Sequence, residues 1–416
     1  MSLRLIRSVL TVVALLASAS ALSAQNQLAP LIQAVRSELR IPDKYIVVLK
    51  SGAQASVVAS RHGVVAENTY DSAVQGFSGR LTLRQLLALA LDRQIAYIEE
   101  DQLVRINAQT VPVGINRVGA ALNLKAGING IDEVGRRVNA DIAIIDTGIQ
   151  LNHPDLNVFR NVSYVAGVRT GADDNGQGTH CAGIAAAIDN SIGVVGVAPG
   201  ARLWAVKVLG RDGSGSISNV IKGVDYVTRN AAAIEVANMS LGGGNSATLN
   251  NAIANSVARG VIYVVAAGNE MKDAVNSSPA NSPNVICVSA IVDADGLPEG
   301  KFFLDPLAPY YYGPDDSLAS FSNYGAVVDL AAPGVNILST LPGSAYGRLS
   351  GTSMAAPHVA GAAALYLAGR AKPTTAATAE QARQAIIAAG YAQNGTNGFT
   401  GDKDASPEPL LNATNL

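Results

Sequence analysis

Cysteine is scarce in this 416-residue chain, which limits what can hold its fold together. The sequence has two, Cys181 and Cys287, too few for the disulfide framework that stabilises small secreted domains. Lone cysteines behave mostly as small buried hydrophobes, so we expect free thiols, with a single disulfide as the alternative. A hydrophobic core must therefore stabilise the fold, and the 48% hydrophobic content is sufficient for one.

An excess of either charge is also missing, since the formal net charge is −2. This balance argues against a nucleic-acid partner and against attraction to an anionic membrane surface. Beyond the N-terminus, no apolar run is long enough to cross a bilayer. We therefore expect a soluble protein with neither partner.

The first 24 residues have the layout of a secretory signal. Arg4 and Arg7 precede an apolar run over residues 9–17, and small residues follow up to Ala24. Cleavage is predicted after Ala21 or Ala24. The alternative is a membrane anchor, but the run is short for a span. We expect a secreted, extracellular protein.

Two regions with different patterns of predicted strands and helices follow along the chain. Residues 44–106 predict strand, helix, strand, helix, strand, which is a small α+β unit. From residue 109, short apolar strands alternate with helices, which indicates a parallel sheet covered on both faces. The predicted strands are 141–146, 202–208, 236–240, 261–266, 285–290 and 327–331. The predicted helices are 179–187, 217–230, 247–259, 354–368 and 379–389. Residues 299–316 and the tail after 390 predict an exposed loop and irregular structure.

Three segments place chemically useful side chains beside turns or helix starts. Residues 144–148 read Ile-Ile-Asp-Thr-Gly, and residues 176–183 read Gly-Gln-Gly-Thr-His-Cys-Ala-Gly. Residues 350–361 read Ser-Gly-Thr-Ser-Met-Ala-Ala-Pro-His-Val-Ala-Gly. Singly, such residues are usually a turn former, a packed histidine and a helix cap. Together they suggest a nucleophile, a base and an acid, whose positions are Ser353, His180 and Asp146.

The chemistry needs each of these residue types. A serine hydroxyl is a weak nucleophile without an adjacent base, so His180 would take the Ser353 proton. Asp146 would orient the imidazole and stabilise its charged form. A tetrahedral oxyanion also needs a preorganised donor, for which Asn269 at the end of an apolar strand is the candidate.

The segments resemble the subtilisin family, through Asp-Thr-Gly, Gly-Thr-His and Gly-Thr-Ser-Met-Ala-x-Pro-His-Val-Ala-Gly in that order. The resemblance covers residues 109 to about 390. It implies an α/β subtilisin-like catalytic domain and a serine endopeptidase of broad specificity with the triad Asp146, His180 and Ser353. Gln177 stands where the closest relatives often carry histidine, and we expect it to lie away from the triad.

The resemblance also implies a substrate path and a calcium site. Glycine-rich edges would pair with an extended peptide; their residues are Gly213, Ser214, Gly215, Ser240, Leu241, Gly242 and Gly268. Without the fold, these glycines would be ordinary turns. A loop would bind structural calcium through oxygen ligands; the residues carried over are Gln109, Asp155, Ile188, Asn190, Ile192 and Val194.

Residues 44–106 resemble the family's propeptide, which implies a folding template and intramolecular inhibitor. An accessory binding domain is the alternative. The predicted organisation is a signal peptide over 1–24, a propeptide over 25–107 and a catalytic domain over 108–416. We expect a monomer that acts on proteins or peptides. Two other functions stay open: a secreted pseudo-enzyme that only binds, and a processing protease with one target motif.

Overall fold

Two units make up the chain, Met1–Ile106 and Asn107–Leu416, each with its own hydrophobic core. The computed structural model describes residues 28–32, 40–102, 109–298 and 312–416. The predicted signal peptide and the predicted cleavage position near residue 107 lie outside the described residues.

The described residues of the first unit form a five-stranded sheet with two helices. Its strands are β1 Leu31–Ile32, β2 Arg40–Leu49, β3 Asn68–Tyr70, β4 Gly76–Arg80 and β5 Ile95–Gln102, and its helices are α1 Ala55–Arg61 and α2 Leu83–Ala90. The spatial order is β1-β5-β2-β4-β3. Thr82 and Gln85 form a capping box that begins α2. The predicted strand–helix–strand–helix–strand order is confirmed, with short β3 as an addition.

The second unit alternates strands and helices, as predicted. Its strands are β6 Asp141–Asp146, β7 Val158–Ser163, β8 Arg202–Lys207, β9 Val236–Met239, β10 Gly243–Gly244, β11 Ile262–Ala266, β12 Ser277–Ser278, β13 Val285–Val292, β14 Ser317–Leu318, β15 Leu330–Pro333, β16 Ile337–Leu341 and β17 Ala345–Leu349. Its helices are α3 Val113–Arg117, α4 Gln177–Ala186, α5 Ile217–Arg229, α6 Ala247–Val257, α7 Thr352–Leu367 and α8 Ala376–Ala388.

The main sheet is mixed and has eight strands in the part of the chain that the structure describes. Seven strands run parallel in the order β7-β8-β6-β9-β11-β13-β15, and β14 pairs antiparallel with β13. Separate apolar clusters cover its two faces, as near-continuous Val, Ile and Ala strands require. The parallel α/β prediction is confirmed. Strand 327–331 is displaced to β15, and the β16–β17 hairpin was not predicted.

The carboxyl ends of three central strands position the polar side chains. Strand β6 ends at Asp146, Ser240 follows β9, and Asn269 lies three residues after β11. Because parallel strands bring these ends to one edge of the sheet, the crevice there is the expected place for a site. Helices α4 and α7 begin at the same edge.

One surface prediction needs correction, and the packing of the tail was not predicted. Asp315 and Asp316, predicted in an exposed loop, are each 8% exposed, and Asp316 accepts a 2.6 Å bond from Arg117. Residues 299–311 of that loop lie outside the described residues. The tail after residue 390 is irregular as predicted, but Leu410 pairs with Ala331 and is buried. Burial of its apolar side chains explains why this tail packs against the sheet.

Candidate active site

Asp146 ends the fully buried strand β6 and is itself 0% exposed. Its Oδ1 atom accepts a 2.7 Å hydrogen bond from the Thr147 amide. Burial nevertheless raises the pKa of this carboxyl to about 7, because desolvation penalises the charged form more than the bonds stabilise it. Two side chains also favour the charged form, that of Thr147 and that of a second partner with a larger effect.

That partner is Gln177, the first residue of α4. Its Nε2 atom donates to Oδ1 and Oδ2 of Asp146 at 3.2 and 3.1 Å, and to the Ser240 carbonyl at 2.8 Å. All three partners are acceptors, so the nitrogen must face them and the amide orientation is determined. Gly178 allows the helix to come this close: an added Cβ would lie 2.0 Å from the Gly148 carbonyl oxygen.

His180 does not lie beside Asp146, and its predicted role as the base is wrong. Its Nε2 atom donates to the Gly347 carbonyl at 3.1 Å, and its Nδ1 atom has no partner in the described part of the chain. The side chain is 0% exposed, and burial lowers its pKa to about 4. It is a neutral core histidine packed beneath the β16–β17 hairpin.

Ser353 is the second residue of α7 and lies at the same edge of the sheet. Its Oγ atom donates to the Ser240 carbonyl at 3.3 Å, the oxygen that Gln177 also contacts. Its own carbonyl accepts from Ser240 Oγ at 2.8 Å and from Cys181 Sγ at 3.2 Å. Ser353 is therefore placed as the sequence predicts, but next to a glutamine.

The sequence itself contains a signal that Gln177, and not His180, lies beside Asp146. Gln177 stands where close relatives often carry histidine, but Gly-Thr-His matches by residue type and suggests His180 instead. The expectation that Gln177 lies away from the triad is wrong, because its amide contacts Asp146. Both residues lie on α4, one turn apart, so only the side-chain contacts distinguish them.

Asn269 is positioned as a hydrogen-bond donor. Its Oδ1 atom accepts from the Thr352 amide at 2.8 Å and from Thr352 Oγ1 at 2.9 Å. With the oxygen engaged, Nδ2 is the atom that can donate to a carbonyl beside Ser353. Gly268 has φ of +108°, and a Cβ there would lie 2.3 Å from Asn323, so this turn requires glycine.

A cleft of about 670 Å³ runs past these side chains. Gln177, Asn269 and Ser353 line it, and His180 is not among its lining residues in the described part of the chain. Every predicted substrate-edge residue lines it as well: Gly213, Ser214, Gly215, Ser240, Leu241, Gly242 and Gly268. The β10–β12 pair adds a wall that was not predicted.

Comparison with known proteins assigns both units. Residues 139–403 match the Subtilase family model, and residues 44–107 match the Peptidase inhibitor I9 model. The chain belongs to the subtilase family. Its two units are those of a serine endopeptidase with a propeptide, as predicted.

The relatives of this subtilase are named proteases. It is 40% identical over 331 residues to an alkaline protease of Alkalihalobacillus alcalophilus, which is 79% of each chain. It is 45% identical to subtilisin BL of Lederbergia lenta over 259 residues, 62% of this chain and 84% of that one. The crystal structure of a cold adapted subtilisin-like serine proteinase is 32% identical, with TM-score 0.54, covering 74% of this chain and 99% of that one.

The residues predicted to bind calcium form one loop cluster in the subtilase unit. Gln109 Nε2 donates to the carbonyls of Ile188 and Val194 at 2.6 and 3.0 Å. Asn190 Nδ2 donates to Asp155 Oδ1 at 2.7 Å, and its Oδ1 accepts from the Ile192 amide. In the described residues, no three His, Cys, Asp or Glu side chains form a metal-binding group.

The donor set nevertheless suits a hard cation. Asp155 is fully buried, and burial raises its pKa to about 6, with bonds from Asn190, Val194 and Tyr346 in partial compensation. Two amide nitrogens donate to oxygens that a cation could share, so turning both amides would present additional oxygens. Carbonyls, amides and one carboxylate are ligands that calcium accepts.

Both cysteines are free and buried, so the thiol prediction is confirmed. Burial raises the pKa of Cys181 and of Cys287 well above the usual value, which keeps both protonated. No described helix is long and apolar enough to cross a membrane.

Proposed function

We propose that this subtilase is exported and binds extended polypeptides along the cleft, with Ser353 as the nucleophile towards the peptide carbonyl. The observation that carries the proposal is the cleft itself, where both glycine-rich edges meet Ser353 and Asn269. A peptide would add to these edges by backbone pairing, which does not read side chains. Broad specificity follows from that mode of binding.

Within this proposal Asn269 Nδ2 donates to the oxyanion that forms when Ser353 attacks. The Thr352 bonds to Oδ1 support this role, because they orient the amide before substrate arrives. Asp146 and Gln177 hold the crevice next to Ser353. The first unit acts as intramolecular inhibitor and is removed near residue 107, and the processed protein is a monomer with neither membrane nor nucleic acid as partner.

Calcium is proposed as a structural cofactor of the loop cluster. Asp155, the amides of Gln109 and Asn190, and the carbonyls of Ile188, Ile192 and Val194 would hold it. When bound, the ion would supply positive charge beside a buried carboxylate and fasten the loop to the first residues of the second unit.

The experiment is active-site labelling of the form recovered from the medium of expressing cells. A fluorophosphonate should modify wild type at Ser353, at a rate set by how strongly this serine is activated, with the adduct located by peptide mass mapping; competing peptide should slow the reaction whatever that rate is. The Ser353→Ala variant should not label. Labelling that is indifferent to competing peptide would contradict a peptide-binding cleft.

A second candidate is a secreted protein that binds polypeptide without efficient hydrolysis. The observation that favours it is the glutamine amide on Asp146. In that case fluorophosphonate modification would be slow while peptide protection was retained.

A further inference from the structure

Among the described residues, none that surrounds Ser353 supplies the proton acceptor that this serine needs. Its hydroxyl donates to the Ser240 carbonyl at 3.3 Å, and a carbonyl oxygen is far too weak a base to activate serine. The ionisable side chains that line the described cleft are those of Glu270 and Lys272, with 3.8 Å between Glu270 Oε2 and Lys272 Nζ. Glu270 Oε2 also accepts a hydrogen bond from Asn323 Nδ2 at 2.9 Å, so this carboxylate is engaged by Asn323 and Lys272.

Gln177 holds the place that links Asp146 to Ser353. Its amide contacts both oxygens of the carboxylate and the carbonyl that the serine hydroxyl also contacts. A base oriented by a carboxylate would have to occupy this position. A carboxamide can donate there, but it does not take up a proton near neutral pH.

His180 cannot exchange places with Gln177 in this fold. The hydroxyls of Ser339 and Thr340 donate to the carbonyls of His180 and Thr179, each at 2.8 Å, which attaches α4 to β16. The imidazole is fully buried below that contact and donates to the Gly347 carbonyl. Moving it to the cleft would require the β16–β17 hairpin to open.

We propose that Gln177 is a positioning residue that replaces the general base, so that this subtilase binds polypeptide and holds Ser353 in place but hydrolyses slowly. The proposal rests on the peptide-binding function above. In subtilisin itself, loss of the triad histidine lowers kcat by about 10⁶-fold, while binding and the oxyanion donor retain about 10³–10⁴-fold over water. The cleft therefore retains recognition and loses most of its turnover.

The decisive variant is Gln177→His, which places an imidazole against Asp146. Wild type and variant, both as the processed form that begins near residue 108, are compared on a tetrapeptide p-nitroanilide with phenylalanine before the scissile bond. We expect kcat to rise by at least about 10³-fold, part of the loss described above. KM should change only a few-fold. The pH–kcat profile should gain an inflection near the ordinary histidine pKa of about 6.5.

Two companion variants separate the residue from its neighbours. Gln177→Asn places a shorter amide at the same position and should show neither the gain nor the inflection. His180→Asn, made in the Gln177→His background, should retain the gain, because the hydrogen bond of His180 goes to the Gly347 carbonyl and not to Asp146 or Ser353. Circular dichroism and thermal melting establish that each variant is folded.

Several results would overturn the proposal. One is wild type with ordinary turnover that His180→Asn abolishes, or ordinary turnover that depends on neither residue. Another is a folded Gln177→His variant that neither cleaves the peptide nor reacts faster with fluorophosphonate. If that variant reacts faster with fluorophosphonate but ignores peptides, the assignment of Gln177 stands and the proposed peptide function fails.

Discussion

The side-chain amide of Gln177 bridges the two carboxylate oxygens of Asp146 at 3.1 and 3.2 Å, in a cleft that also contains the Ser353 hydroxyl. The amide can hold the carboxylate, but it cannot relay a proton from the serine. Family membership and catalytic competence are therefore separate properties of this subtilase. The first follows from the whole fold, whereas the second depends on one side chain.

Self-processing should depend on residue 177. We expect wild type to stay full length for much longer than Gln177→His, whose product should begin near residue 108, because release of the first unit needs an activated serine. Intact-mass spectrometry over time measures both. Gln177→His combined with Ser353→Ala should remain unprocessed; a mature product from that double variant would point to a host protease.

Removing the oxyanion donor should lower kcat without weakening binding. In the Gln177→His background, Asn269→Ala should reduce kcat by about 10²–10³-fold, because the donor acts on charge that forms only in the transition state. Steady-state kinetics on the same p-nitroanilide provide the values, with KM within a few-fold. A rise in KM at constant kcat would instead assign Asn269 to ground-state binding.

The buried Asp146 carboxyl should make stability depend on pH. Its pKa is raised to about 7 in the folded state against the usual 3.8, so between these values the folded state holds more protons than the unfolded state. The contribution of the protonated Asp146 carboxyl to folding stability is therefore fully present below about pH 4 and is lost as pH rises to about 7. Asp146→Asn removes this loss. The free energy of unfolding of the variant, relative to wild type, should therefore increase from pH 5 to pH 8, by less than about 4 kcal/mol.

Urea unfolding at the two pH values measures that difference. Asp225→Asn, which removes an exposed carboxyl on α5, is the matched control and should show almost no pH-dependent difference. A variant whose advantage over wild type is the same at pH 5 and pH 8 would contradict the raised pKa.

Calcium should stabilise the protein through Asp155. Saturation to about 100 times the dissociation constant contributes about 2.7 kcal/mol, which corresponds to several degrees in Tm. Asp155→Asn should abolish most of this increment, because the cluster loses its negative charge. Differential scanning calorimetry with calcium and with chelator tests this, and Asp225→Asn should retain the full increment. An increment unaffected by Asp155→Asn would place the ion elsewhere.

The two thiols should be hidden in the native state. Ellman's reagent should react with neither Cys181 nor Cys287 until the chain is unfolded, when both should react, because burial excludes the reagent and keeps the thiols protonated. Rapid reaction of Cys181 in the native state would show that the α4–α7 contact opens.

Most of the fold could be predicted because its signals are local. Apolar strands such as β6 and β11, separated by helical stretches, indicate a parallel sheet without any alignment. The β16–β17 hairpin was missed because its pattern has no apolar alternation as clear as that of the core strands. The packing of the irregular tail at Leu410 could not be predicted, since composition does not reveal that this segment pairs with the distant strand β15.

The sequence by itself determined the family, the order of the two units, the position of Ser353 at a helix start and several residues that line the cleft. Each of these depends on residue types at fixed spacing along the chain. Only the tertiary structure decided which α4 side chain meets Asp146. Gln177 and His180 lie one turn apart on the same helix, so the sequence motif cannot tell which of the two side chains faces the cleft. The tertiary contacts decide between them. Strand β6 and the Ser240 carbonyl hold Gln177 at the cleft, and the β16–β17 hairpin encloses His180 in the core.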